Sequence, residues 1–317
     1  MEIPLDLART LAVVIDEGTF DAAARRLRIT PSAVSQRVKA LEQQLGRVLV
    51  VRSKPARATE AGAPIVRLAR QVALLEHDAL AEFGLDEASA RPISLALAVN
   101  ADSLATWFLP ALARVGERRS VVFDLHRDDQ DFTAGLLESG TVLGAVTSQS
   151  APVAGCLVRP LGVMRYEAVA TPAFAERWSL MSHAAAHAAH AAHAAHAAHA
   201  AHAAHAALAE APLVDFDRRD DLQRAHLSAC GVDPDGPPRH FVPASSDFAS
   251  AVKLGLGWGM LPGIQAADEL ERGALVCIGG TPIDVPLFWQ QWNLRSALLT
   301  AVADELAVEA RTALANP

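Results

Sequence analysis

The sequence is poor in residue types that define several common protein classes. Its 317 residues include only three cysteines (Cys156, Cys230 and Cys277), which are far apart and in no metal-ligand spacing. An odd number of distant cysteines indicates reduced thiols rather than disulfides or a zinc site. The chain has no run of 18 apolar residues, and only a five-residue apolar stretch near its start. We therefore expect a cytoplasmic protein without a signal peptide or membrane contact.

Motifs of catalysis are missing as well. The sequence contains no G-x-x-x-x-G-K-S/T loop for nucleotide phosphates and no nucleophile elbow with serine, histidine and aspartate. The glycines between Gly255 and Gly259 lack the strand, turn and helix of a dinucleotide loop. We expect no enzyme, no cofactor, no catalytic residues and no metal ligands.

Acidic residues are scarce in one part of the chain. Residues 25–57 contain nine lysines and arginines but a single acid, Glu42, and so carry a charge of +8. The whole chain carries -8, which leaves -16 for the remainder. A basic module on an acidic body indicates a head that binds a polyanion. The alternative is an ordinary solvated basic face.

The basic segment has the pattern of a helix-turn-helix. A first helix is predicted from the apolar spacing of residues 7–15 and ends at Gly18, and Thr19 caps a second over Phe20–Leu27. Thr30 and Pro31 predict the N-cap and first residue of a third helix, which runs to about Leu45 and stops at Gly46.

The third helix is predicted to read DNA. Its apolar residues (Val34, Val38, Leu41 and Leu45) share one face, and Ser32, Gln36, Lys39 and Gln43 lie opposite. Polar and cationic side chains of this kind suit the major groove. A β-prone stretch, Leu49–Val51, and the basic residues after it predict a wing. The predicted DNA-binding residues are Thr30, Ser32, Ser35, Gln36, Arg37, Lys39, Arg52, Lys54 and Arg57.

A further helix is expected to begin at Thr59. Ile65, Leu68, Val72, Leu75 and Ala79 repeat at steps of three and four, which predicts a seam that pairs two chains. The alternative is a helix packed on its own domain. A pair of chains would present two heads to two half-sites of duplex DNA.

These segments resemble the LysR-type transcriptional regulators. The resemblance rests on TFDAAARRL, ITPSAVSQRVKALEQQLG and VLVVRSKPARATEAG, and more distantly on phrases through the rest of the chain such as SSDFASAVKLGLGWGMLP. Departures at Thr30–Ala33 and Gln36–Arg37 match the subgroup that governs lysine and arginine export. The resemblance implies an activator of a basic-amino-acid exporter gene, with promoter DNA and RNA polymerase as partners and lysine or arginine as effector. It also implies a homodimer or homotetramer.

The fold class implied is α/β: a winged helix-turn-helix (1–58), a linker helix (59–90) and a two-lobed effector domain similar to periplasmic binding proteins (91–317). Lobe one is expected at 91–161 and 265–317, and lobe two at 162–264, with an alanine-histidine insert at 184–207.

The sequence itself predicts a small-molecule site at strand ends. Ile93–Val99 reads as a buried strand with a helix at about 104–115, a second strand is expected at Phe241–Ala244 before another helix, and a third at Val142–Val146. Helix N-termini favour a carboxylate, and the acids Asp102 and Asp247 favour a cation. The candidate effector-binding residues are Asn100, Asp102, Ser103, Trp107, Thr147, Ser148, Ser245, Ser246 and Asp247. The alternatives are simple helix caps, or an effector that is another small anion.

The tract at 184–207 contains only alanine and histidine. Its histidines recur every three residues from His187 to His205, so they circle a helix and leave no fixed face to bury. We interpret the tract as a low-complexity expansion; the alternative is a metal-responsive protein that binds metal through neighbouring histidines.

Overall fold

The computed structural model describes residues 2–83, 92–127, 133–180 and 206–315. The tract from His183 to His205, with its predicted helix and possible metal chemistry, lies outside these residues. The helices are α1 Leu5–Glu17, α2 Phe20–Leu27, α3 Pro31–Leu45, α4 Ala63–Glu82, α5 Ala101–Thr106, α6 Phe108–Arg118, α7 Thr133–Glu138, α8 Pro172–Arg177, α9 Leu222–Ala229, α10 Ser245–Lys253, α11 Gly263–Glu271 and α12 Ala297–Ala313. The strands are β1 Val50–Val51, β2 Arg57–Ala58, β3 Ile93–Val99, β4 Val121–Arg127, β5 Gly144–Thr147, β6 Cys156–Ala170, β7 Leu213–Asp215, β8 Arg239–Phe241, β9 Gly259–Pro262, β10 Val276–Cys277 and β11 Ile283–Trp292.

The chain forms two compact units, each assembled from three segments. The first unit comprises Met1–Asn100, Pro110–Pro160 and Phe288–Leu306, and the second comprises Ala101–Leu109, Leu161–Leu287 and Ala307–Pro317. The domain and lobe boundaries expected from the sequence stay a prediction.

The helix-turn-helix is confirmed, with its predicted ends. The Thr19 and Thr30 hydroxyls accept hydrogen bonds from the N–H groups of Ala22 and Ala33, both at 3.1 Å, so each threonine caps its helix. Gly18 and Gly46 end their helices in the left-handed conformation, at φ 69° and 64°. The apolar faces of α1, α2 and α3 bury one cluster that includes Leu11, Val34, Val38 and Leu41.

The wing is an antiparallel hairpin of β1 and β2, with Val50 opposite Ala58. Glu42, the single acid of the basic segment, accepts a hydrogen bond from the Leu49 N–H at 2.9 Å and so ties the wing to α3. The Thr59 hydroxyl donates to the Val48 carbonyl at 2.7 Å. The Glu42 carboxylate is therefore an acceptor for the backbone of the wing and not part of the basic surface.

The linker helix begins later than predicted, at Ala63 instead of Thr59. The Thr59 N–H is bonded to the Leu49 carbonyl at 3.0 Å, which holds Thr59 beside the wing in a turn. Ile65, Val66 and Ala69 pack into the core of the N-terminal module. Leu75, from the predicted seam, is 40% exposed, and Leu80 is 46% exposed. The first turns of α4 thus pack on their own domain, while the pairing of two chains stays a prediction.

The first unit also contains a mixed sheet. The strand β3 pairs in parallel with β4 and β5, and β5 pairs antiparallel with the end of β11. The expected strand at 142–146 is observed at Gly144–Thr147. Leu137 of α7, Val142 of the turn before β5 and Ala145 of β5 are buried in one cluster with Ala98 of β3.

The second unit contains the part of β6 from Leu161 onward. This part of β6 pairs antiparallel with β9 and β10, and β7 pairs in parallel with β8. The helices α10 and α11 cover an apolar cluster that includes Val169, Phe248, Val252 and Leu261.

Two expected elements are corrected by the structure. The helix expected at about 104–115 is two helices that meet at Trp107, because the ring of Pro110 clashes with a helical carbonyl at Thr106. It also starts earlier, so Asp102 and Ser103 lie inside α5 and not in a loop. The strand expected at Phe241–Ala244 ends at Phe241, since Pro243 has no N–H to donate.

Among the helices of the described residues, none combines the length and the apolar character that a membrane crossing requires.

Candidate DNA-binding surface and effector site

The outer face of α3 is a polar and basic surface. Ser32, Gln36 and Lys39 are exposed, whereas Val34 and Val38 on the opposite face are fully buried. Ser35 and Arg37 are partly exposed at the margins of this face. Thr30 has the structural role of N-cap, and its place at the start of α3 orients the helix. The arrangement leaves amide, hydroxyl and ammonium groups facing outward, which suits contacts to base edges and phosphates.

The wing adds guanidinium and ammonium groups next to α3. Arg52, Lys54 and Arg57 are all exposed. The Arg52 guanidinium carbon lies 4.7 Å from the centroid of the Phe20 ring, so the first residue of α2 holds the base of the wing by a cation–π contact. Sequence reasoning missed this role of Phe20, because the two residues meet only once the wing has folded.

A cluster around Asp102 lies in the second unit. The Tyr166 hydroxyl donates to Asp102 Oδ2 at 2.7 Å, and the Ser245 hydroxyl also donates to this carboxylate. Burial raises the pKa of Asp102 above 3.8, and the hydrogen bonds from Ser245 and Tyr166 act in the opposite direction. Gln265 Nε2 lies 3.5 Å from the Ser245 hydroxyl oxygen. The Gln265 amide thus contacts Ser245 and not the carboxylate itself. A cation placed beside the buried Asp102 would favour its charged form.

Buried polar atoms with no partner among the described residues lie in the same unit. They are Ser103 Oγ and Trp107 Nε1 on the segment that carries Asp102, and Gln265 Oε1 on the segment that faces Ser245. Ser103 and Trp107 are almost fully buried. Buried donors and acceptors usually have a hydrogen-bond partner, so such atoms are suited to a polar ligand.

Asp220 is a second acid of this unit. Its carboxylate accepts hydrogen bonds from the N–H groups of Phe216 at 3.2 Å and Leu222 at 3.1 Å. Its pKa is raised to about 6, mainly by burial, and the negative charges of Asp215 and Asp102 raise it further. Sequence reasoning missed Asp220, since nothing in FDRRDDLQ separates it from the two other acids in that segment.

The structure brings together only some of the predicted effector residues. Asp102 and Ser245 meet, and the unpredicted Tyr166 joins them. Ser246 and Asp247 lie exposed on the first turn of α10. Of the remaining five predicted residues, Ser103 and Trp107 belong to the second unit. Asn100, Thr147 and Ser148 belong to the first, where Thr147 Oγ1 accepts a hydrogen bond from the Gln149 N–H at 3.1 Å. For all nine predicted residues, contact with an effector stays a prediction.

The comparisons with known proteins agree with the helix-turn-helix geometry. Residues 5–63 match the family described as "Bacterial regulatory helix-turn-helix protein, lysR family". The chain is 44% identical over 300 residues to the HTH-type transcriptional regulator LysG of Mycobacterium tuberculosis, covering 95% of this chain and 91% of the relative. The chain belongs to the LysR family. The predicted fold class, an N-terminal helix-turn-helix with an α/β effector domain, is thereby confirmed.

Two solved structures of LysR-type regulators resemble this one over nearly their whole length. The crystal structure of ArgP from Mycobacterium tuberculosis has a TM-score of 0.78 and 42% identity, with 98% of each chain covered. Full-length LysG from Corynebacterium glutamicum, with arginine bound as effector, has a TM-score of 0.70 and 37% identity, with 99% of this chain and all of that chain covered. Members of the LysR family are DNA-binding transcriptional regulators, and so is this chain.

Proposed function

We propose that this LysR-type regulator senses arginine or lysine and controls a gene for a basic-amino-acid exporter. The observation that carries the proposal is the Asp102 carboxylate, which has a raised pKa and is hydrogen-bonded by Tyr166 and Ser245. The similar LysG with bound arginine and the relatives named for lysine export support it.

The chemistry of the Asp102 cluster fits an effector that carries a cation and a carboxylate. A guanidinium or ammonium group beside Asp102 would neutralise a carboxylate that burial disfavours. The first turn of α10, which contains Ser245, has no side-chain cap, and N–H groups of this kind bind carboxylates. An amino acid with a basic side chain satisfies both features.

The remaining parts of the proposal concern DNA and assembly. We assign contacts in the major groove to Ser32, Ser35, Gln36, Arg37 and Lys39, and phosphate contacts to the wing residues Arg52, Lys54 and Arg57, with Thr30 fixing the start of the helix. Two or four chains would act together on promoter DNA in the cytoplasm and activate transcription through RNA polymerase. We infer a regulator without catalytic activity or cofactor, whose small-molecule partner is its effector.

Calorimetric titration of the full chain with arginine, lysine and citrulline tests the effector assignment. Citrulline has nearly the shape of arginine but no positive charge. We expect arginine or lysine to bind and citrulline to bind about 30-fold or more weakly, since a buried charge would lose its partner. Asp102→Asn should weaken arginine binding by a similar factor.

The matched control is Glu271→Gln, which removes an exposed carboxylate from the end of α11, in the second unit but outside the Asp102 cluster. Its affinity for arginine should stay within about twofold of the wild type, because exposed charges contribute little. Equal binding of citrulline and arginine, or tight binding of an organic acid in place of both basic amino acids, would contradict the proposal.

A further inference from the structure

Arg70, on the linker helix α4, contacts two other parts of the first unit with one side chain, the turn after α7 and the end of α1. Its Nη1 donates to the carbonyls of Gly140 at 2.6 Å and Thr141 at 3.0 Å. Its Nη2 donates to the Asp16 carboxylate in the last turn of α1. The Arg70 side chain is only 16% exposed. A guanidinium with several acceptors in a partly dry setting is held more firmly than a surface ion pair.

Arg67, one turn earlier on α4, strengthens the same junction. Its Nη1 donates to the Glu138 carbonyl at 2.8 Å, and its guanidinium carbon lies 4.8 Å from the Trp292 ring centroid. Gly140 has φ 69°, and a Cβ there would lie 2.3 Å from the Arg67 Cβ. The carbonyl end of α7 therefore meets two guanidinium groups at a place where only glycine fits.

The partners of Arg70 belong to two separate parts of the chain, one next to the wing and one next to β5. Asp16 lies two residues before Gly18, whose carbonyl accepts a hydrogen bond from Ala56 of the wing segment at 2.7 Å. Thr141 lies three residues before β5, whose last residue is Thr147. A shift of the turn at Gly140 and Thr141 would pull on Arg70 and through it on α1, the helix that supports the DNA-binding core.

We propose that Arg70 is the residue that couples effector binding to the DNA-binding domain. The inference rests on the proposed function, because it needs an effector that changes DNA binding. Coupling requires a side chain that engages the turn and α1 at once. The rigid, planar fork of arginine does this, whereas the single ammonium of lysine cannot keep both sets of acceptors.

The experiment compares the full-length wild type with Arg70→Lys, Arg70→Met and Asp16→Asn. For each protein, calorimetry gives the affinity for arginine, and a labelled operator fragment gives the affinity for DNA without and with saturating arginine. The control is Arg118→Met, which breaks an exposed ion pair with Glu305 in the same unit at 2.7 Å.

We expect the two Arg70 variants to bind arginine as the wild type does, while the arginine-induced change in operator binding falls by about 2- to 30-fold. Asp16→Asn, which keeps the carbonyl contacts, should give a smaller loss, and Arg118→Met none. If Arg70→Met does not fold, the lysine and asparagine variants decide the question.

A full arginine response in Arg70→Lys and Asp16→Asn would overturn the coupling inference and leave the proposed function intact. A wild type that binds no basic amino acid, or whose operator binding ignores it, would contradict the proposed function and the inference together. A loss in Arg118→Met as large as in the Arg70 variants would also overturn the inference, because the effect would then not depend on the junction.

Discussion

Tyr166, the only tyrosine of the chain, illustrates the limit of what residue types alone reveal. Asp102 and Ser245 could be named from the sequence because both follow predicted strands. Their partner Tyr166 lies within a strand, 64 residues from Asp102 along the chain, and its hydroxyl reaches the carboxylate only in the folded second unit. Long-range partners of this kind carry no local signal, which is why the cluster was predicted in part.

Asp220 gives a pH dependence with a definite sign. Its pKa of about 6 is raised by burial and by the charges of Asp215 and Asp102. A cation bound at Asp102 would offset the repulsion, lower the pKa of Asp220 and release protons near pH 6. We therefore expect the affinity for arginine to increase as the pH rises from about 5 to about 7.

Calorimetry in two buffers with different ionisation enthalpies measures this proton release. The apparent binding enthalpy should depend on the buffer at about pH 6 and hardly at all at about pH 8, where Asp220 is ionised in both states. An enthalpy that is independent of the buffer at the lower pH, or an affinity that increases on acidification, would show that Asp220 does not respond to the effector.

At the scale of elements, local chemistry explains which predictions succeeded. Caps and stops such as Thr30, Pro31 and Gly46 act within one turn of the chain, so the ends of α2 and α3 could be predicted. The break at Trp107 also has a local cause, the ring of Pro110. The start of α4 also has a local signal, Pro64 in its first turn, whereas Thr59, from which the helix was expected, is held by the wing.

At the same scale, substitution of Gly62 tests how closely the wing packs against the start of α4. A Cβ at this position would lie 2.0 Å from the Leu49 carbonyl oxygen, so Gly62→Ala must displace the backbone of the wing. We expect a loss of about 1–3 kcal/mol or more in the stability of the N-terminal module, together with weaker operator binding.

The matched control is Gly116→Ala, in α6, where a Cβ would meet nothing within 4 Å. It should be neutral or stabilise by up to about 1 kcal/mol, because alanine is the better helix former. Denaturant unfolding followed by far-ultraviolet circular dichroism gives both values. Equal stability of the two variants would contradict the close contact at Gly62.

At the scale of the whole molecule, the basic segment and the rest of the chain carry net charges of opposite sign. Residues 25–57 carry +8, which suits a polyanion, and the rest carries -16, which suits the binding of a basic effector. The exposed apolar residues late in α4 and just after it, among them Leu75 and Phe83 at 40% and 78%, suit the proposed pairing of two chains. This division of charge was readable from composition, whereas the proposed effector, lysine or arginine, was implied only by the resemblance to the LysR-type regulators.

A footprint of the full-length protein on the promoter of the exporter gene that we propose it controls is the most direct test of the central claim. The footprint is recorded without effector and with arginine, lysine or citrulline, each at the same concentration. A regulator of this kind should protect the promoter in every case and change the protected region with arginine or lysine, but not with citrulline. An identical footprint in all four conditions, or the same change with citrulline as with arginine, would contradict the account.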